Sequence, residues 1–107
     1  LTDVLVKHGY TVTTAVNGEE AIAKIRAERP QLILMDVVMP GANGFQVTRS
    51  IARDPELAAI PVIICSSKNQ ETDRIWGMRQ GAKDYFVKPV DPVQLLARIA
   101  ALAALDA

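Results

Sequence analysis

Apolar residues fall along this chain in two alternating rhythms, one helical and one extended, and the alternation predicts its elements. Leu1, Val4, Leu5 and His8 share one helical face, and Gly9 stops that helix. Residues 10–15 (YTVTTA) are rich in β-branched side chains and read as a strand. Asn17-Gly18 turns the chain into a helix over residues 19–29, with Ile22 and Ile25 inward and Glu20 and Lys24 one turn apart. Pro30 ends that helix. Residues 32–35 (LILM) are a continuous apolar run closed by Pro40-Gly41, the mark of a strand covered on both faces. A Gly-rich loop leads to a helix over residues 45–53, with Phe45, Val47 and Ile51 toward the core, and Asp54-Pro55 opens a connection. Residues 60–65 (IPVIIC) read as a second doubly covered strand that runs out into Ser66, Ser67 and Lys68. A polar helix over residues 70–80 stops at Gly81, and a short strand over residues 84–87 ends in Lys88-Pro89. Asp91 caps a last helix with Pro92 at its first position and Leu95, Leu96, Ile99 and Leu102 as its apolar stripe.

This order predicts an α/β fold: one doubly wound parallel sheet, right-handed crossovers and helices on both faces. A chain of 107 residues buries one core, not two. Twelve basic side chains balance twelve acidic ones, which points to neither nucleic acid nor a membrane surface as partner. No apolar run approaches the ~20 residues that span a bilayer. The lone Cys65 excludes an intrachain disulfide and fits a reducing compartment; with no secretory signal, a cytoplasmic location is expected. Cys65 itself reads as a small buried hydrophobe, and His8 as a surface residue near a helix end, without a second His to make a ligand pair. Trp76, with Ile75 and Met78, either packs the polar helix onto the sheet or faces a partner.

Three strands end in polar side chains, and parallel topology brings Asp36, Ser66 and Lys88 to one edge of the sheet, where open α/β folds collect their ligands. A carboxylate, a hydroxyl and an ammonium group suit phosphoryl transfer. Asp36 can attack phosphorus to give an acyl phosphate. Lys88 can neutralise a phosphoryl oxygen as a point charge, and Ser66 can donate a hydrogen bond to another. The plainer reading of Asp36 is a turn or cap residue after an apolar run. A flavodoxin-like electron carrier would share the fold, but its flavin needs a phosphate-cradling loop and flanking aromatics. This chain has no such loop and only 5% aromatic residues.

Residues 32–44 (LILMDVVMPGANG), the strand-end Ser66 and residues 81–89 (GAKDYFVKP), at their relative spacing, resemble the receiver domain of two-component response regulators, of CheY type. The resemblance covers the whole chain, residues 1–107. It implies that Asp36 accepts a phosphoryl group from a sensor histidine kinase, with Ser66 and Lys88 completing the site. The protein would then be a switch with slow self-hydrolysis, not a turnover enzyme. It also implies that the Val38 carbonyl and Asp36 are ligands of Mg²⁺, that the Lys88-Pro89 bond is cis, and that Ser66 and Tyr85 are the switch residues. A downstream protein would dock on the last strand and its flanking helices. Residues 72–85 (TDRIWGMRQGAKDY) look similar to stand-alone receivers of twitching-motility or chemotaxis-like systems.

One departure stands out. The family carries an acidic pair at the end of a first strand, and this sequence starts within the first helix, with Leu1 rather than Met. The domain is therefore expected to be N-terminally truncated, with a Mg²⁺ site weak or absent unless that strand lies upstream. A degenerate receiver that only binds protein is the alternative. In the family's strand order, 2-1-3-4-5, the first strand would lie between residues 10–15 and 32–35. Strands sit about 4.8 Å apart, so its absence would leave a slot roughly 10 Å wide. Upstream residues, a strand from a second chain, or re-pairing of the sheet is expected to fill it.

Overall fold

The structure, a computed structural model, describes residues 2–15, 17–37, 43–68 and 70–105. Among the described residues five helices and three strands follow one another, alternating from α2 onward: α1 (Thr2–Lys7), α2 (Gly18–Glu28), β1 (Ile33–Met35), α3 (Gly44–Arg53), β2 (Val62–Ser66), α4 (Glu71–Arg79), β3 (Asp84–Val87) and α5 (Pro92–Leu105). The strands form one parallel sheet in the order β1-β2-β3, with Met35 beside Ile64 and Ile64 beside Tyr85.

The period of two along each strand explains why these segments are apolar throughout. Ile33, Met35, Val62, Ile64 and Tyr85 face one side of the sheet and meet Ile25, Val47 and Ile51 of α2 and α3. Ile63 and Cys65, with Leu34 and Phe86, face the other side and meet Leu5 of α1 and Leu95, Ile99 and Leu102 of α5. All five residues of β2 are buried, because it has a strand on each edge and helices on each face.

Local chemistry sets the helix ends. Asn17 Oδ1 accepts from Glu20 N at 2.8 Å to start α2, and Glu20 and Lys24 pair at 2.9 Å on its surface. Asn43 and Gln46 form a reciprocal capping box at α3, with bonds of 3.0 and 3.2 Å. Asp91 Oδ1 accepts from Val93 N at 2.9 Å, just ahead of Pro92 and α5. His8 is exposed and bonds back through Nδ1 to the Val4 carbonyl at 2.9 Å.

Two expectations need correction. Residues 10–15 are not a strand: among the described residues no ladder joins them to β1, and β1 has not re-paired with them. β-branched composition favours a pleated surface but forms no sheet without a partner edge. These residues are held instead by Lys24 Nζ donating to the Thr14 carbonyl, by Thr13 Oγ1 donating to Glu28 at 3.2 Å, and by Val12 packing on the cluster that Leu5, Ile63 and Leu95 help to form. The second strand begins at Val62 rather than at residue 60 and takes in Ser66. The Ile60–Pro61 approach is non-strand, with Ile60 N bonded to Leu57 O at 3.0 Å.

Candidate functional site

Asp36 directly follows β1, Ser66 is the last residue of β2, and Lys88 directly follows β3, so the three meet at the carboxyl edge of the sheet. Lys88 Nζ donates to Asp36 Oδ2 at 2.6 Å, and the two side chains are 44% and 40% exposed. A charge-assisted bond of this length is strong for its kind, yet both partners stay open to solvent and to a reacting group. Lys88 is aimed by its own backbone, whose N–H donates to Ser66 O at 2.8 Å and extends the β2–β3 ladder past the last strand residue. The Lys88-Pro89 bond is cis, as the resemblance implied.

Ser66 is fully buried, and its Oγ accepts from Lys68 N at 3.2 Å. Tyr85 is 6% exposed, and its hydroxyl donates to the Lys68 carbonyl at 2.9 Å. Burial raises the Tyr85 phenol above its ordinary value, against a smaller opposing pull from a hydrogen bond with Ser66. The short loop after β2 is thus tied at Lys68 to both Ser66 and Tyr85. The structure brings Asp36 and Lys88 into direct contact and links Ser66 to Tyr85 through Lys68. Val38 lies outside the described residues.

Two glycines matter to the site and were not legible as functional. A Cβ on Gly44 would lie 2.2 Å from the Asp36 carbonyl oxygen, a distance no side chain tolerates. Only glycine lets the first turn of α3 close on the Asp36 backbone, where Gly44 N bonds Val37 O at 2.9 Å. A Cβ on Gly77 in α4 would lie 3.0 Å from the Tyr85 ring and 2.9 Å from Ile64 Cδ1. Gly44 sits in an Asn-Gly pair that reads as an ordinary turn, and Gly77 breaks a helical pattern with no local cause. The sequence signal for both was present, but its meaning depends on neighbours distant along the chain.

The expected metal meets a simple test. Mg²⁺ takes near-octahedral oxygen ligands, mostly carboxylates and water. Among the described residues no three Asp, Glu, His or Cys side chains gather, and the Asp36 carboxylate already binds the Lys88 ammonium. The described residues by themselves do not fit a magnesium site.

Parallel strands, a half-exposed carboxylate at the carboxyl edge, and a lysine reaching it from the last strand define a class of signalling module. Residues 1–100 match the family model of the response regulator receiver domain, and the chain belongs to that family. It is 55% identical over 104 residues to Protein PilH of Pseudomonas aeruginosa, which covers 97% of this chain and 86% of that protein. Identity to the response regulator PleD of Caulobacter vibrioides is 42% over 93 residues, 87% of this chain but 20% of that longer protein. Among solved structures, a putative response regulator from Chloroflexus aurantiacus aligns with a TM-score of 0.91 at 30% identity, over 96% of this chain and 84% of that one. No helix among the described residues is long and apolar enough to cross a membrane.

Proposed function

We propose that this protein is a phospho-accepting switch in which Asp36 receives its phosphoryl group from a sensor histidine kinase. The observation that carries this reading is the 2.6 Å pairing of Lys88 with Asp36 at the sheet edge, beside the end of β2. An Asp36 carboxylate oxygen attacks the phosphorus of the donor phosphohistidine. The new O–P bond forms as the donor's N–P bond breaks, and the imidazole nitrogen keeps the electron pair and takes up a proton. The product is an acyl phosphate, and the transfer asks little of the protein beyond position and charge neutralisation.

Lys88 then follows the charge from Asp36 to a phosphoryl oxygen. Ser66 turns its hydroxyl to another and gives up its bond from Lys68 N. Lys68 also holds the Tyr85 hydroxyl, so movement of this loop releases Tyr85 and alters the surface of β3, α4 and α5. A downstream protein docks there, beside Trp76 (48% exposed) and Val93 (75% exposed). Slow hydrolysis of the acyl phosphate resets the switch, without turnover of any small substrate. The likeness of residues 72–85 to twitching-motility or chemotaxis-like receivers supports a role in such a system, at the cytoplasmic location expected from the sequence.

The test is phosphoryl transfer from a radiolabelled histidine kinase. Label should appear on the protein as a base-labile acyl phosphate and be absent from Asp36→Asn, whose circular dichroism should match the parent. Equal labelling of the two would refute Asp36 as acceptor. No labelling of either would favour the degenerate, protein-binding alternative.

A further inference from the structure

The chain has seven arginines, and their pairing divides them. Arg26, Arg29, Arg74 and Arg98 each pair with a carboxylate, at 2.9, 3.1, 3.9 and 3.0 Å. Arg49, Arg53 and Arg79 have no ion pair among the described residues, and all three line one cleft between α3 and α4, about 360 Å³ in volume. The fourth prominent side chain of that cleft is Trp76, 48% exposed and the only tryptophan in the protein. Among the described residues no acidic side chain lines it. In a chain of zero net charge, three guanidinium groups lining one cleft with an indole are a local excess with no carboxylate partner among the described residues.

The cleft is built rather than incidental. Gly81 follows α4 with φ +111, and a Cβ there would lie 2.7 Å from Ala52 Cβ, so the helix end can close on α3 only as glycine. That contact sets the Arg79 end of α4 against the arginine-bearing face of α3. Arg49 and Arg53 stand one turn apart, about 6 Å along the axis. Like charges at this spacing oppose helix formation, and α3 carries no acidic side chain to relieve them.

From these observations we infer that the α3–α4 cleft is a docking groove for an acidic segment of a partner protein. Guanidinium groups bind carboxylates in paired, planar hydrogen bonds, and several along an extended chain sum to useful affinity. Arginine and tryptophan are also the residue types over-represented at binding hot spots. The cleft opens to solvent, whereas small-molecule sites bury most of the ligand surface, which favours a peptide over a nucleotide. The groove's positive charge comes from three residues of a chain with zero net charge, which disfavours a nucleic acid. None of Asp36, Ser66 and Lys88 lines the groove, which shares Trp76 with the docking face of β3, α4 and α5.

Trp76 fluorescence reads the groove directly. The unphosphorylated protein is titrated with the peptide acetyl-Glu-Glu-Leu-Glu-Glu-amide and with its lysine counterpart. The expected result is a saturable change with the acidic peptide alone, weakened at high salt and about tenfold for each of Arg49→Gln, Arg53→Gln and Arg79→Gln. These positions are exposed, and unchanged circular dichroism confirms that each variant is folded. No saturable change at millimolar peptide, or equal binding by the three variants, overturns the inference. Tighter arginine-dependent binding of ATP, an oligonucleotide or anionic vesicles than of the peptide overturns the choice of ligand.

Discussion

The Asp36–Lys88 pair sits with both partners about two-fifths exposed, and exposed ion pairs contribute at most about 1 kcal/mol to stability. Its value is therefore positional. Lys88→Ala should cost less than about 1 kcal/mol by urea unfolding, yet sharply reduce the difference in partner affinity between phosphorylated and unphosphorylated protein. Unchanged partner response in that variant would remove Lys88 from the switch. Cys65 behaves oppositely, as a residue of stability alone. Burial pushes its thiol from the ordinary 9.0 up to about 11, despite the opposing pull of Lys88. The folded state resists the thiolate, so this contribution is complete below pH 9 and is lost as pH rises toward 11. The loss amounts to about 2–3 kcal/mol. Unfolding curves at pH 8 and pH 11 should show that extra loss in the parent and not in Cys65→Ala; parallel losses would contradict it.

Among the elements, α4 carries the least apolar patterning and the most consequence. Of its residues only Gly77 is buried, and it seats the helix against Tyr85, Ile64 and Phe45. Trp76 and Ile75 point outward, and Met78 alone of the three packs toward the core. Gly77→Ala gains helix propensity of about 1 kcal/mol but overpacks a contact that costs about 1–3 kcal/mol. The variant should be less stable than the parent by up to about 2 kcal/mol, with the Tyr85 ring shifted in NMR; a more stable protein with an unmoved ring would contradict this packing. Period and punctuation made the eight described elements legible, α4 among them through its Gly81 stop, because an apolar run closed by Pro-Gly or an Asp-Pro cap carries its meaning locally. Residues 10–15 misled for the opposite reason, since a strand exists only through its partner. The strand ends at Asp36, Ser66 and Lys88 were legible because parallel topology alone brings them together. The Lys68 tie between Ser66 and Tyr85, and the seats of Gly44 and Gly77, required the folded contacts.

At the scale of the molecule, one sheet separates two apolar layers and gathers its polar ends on one edge. β2 anchors both functions: its interior residues are wholly buried, while its last residue, Ser66, touches the loop that holds Tyr85. Under the proposed function, this buried strand, tied through Lys68 to Tyr85, would couple a covalent event at Asp36 to a surface on α4, β3 and α5. That coupling rests on Asp36 being the acceptor. The most direct measurement is the intact mass of the protein after incubation with acetyl phosphate in magnesium-containing buffer. The parent should gain the mass of one phosphoryl group, and Asp36→Asn should gain none. An equal gain in both proteins would contradict the assignment, as would a parent that stays unmodified while still responding to its kinase.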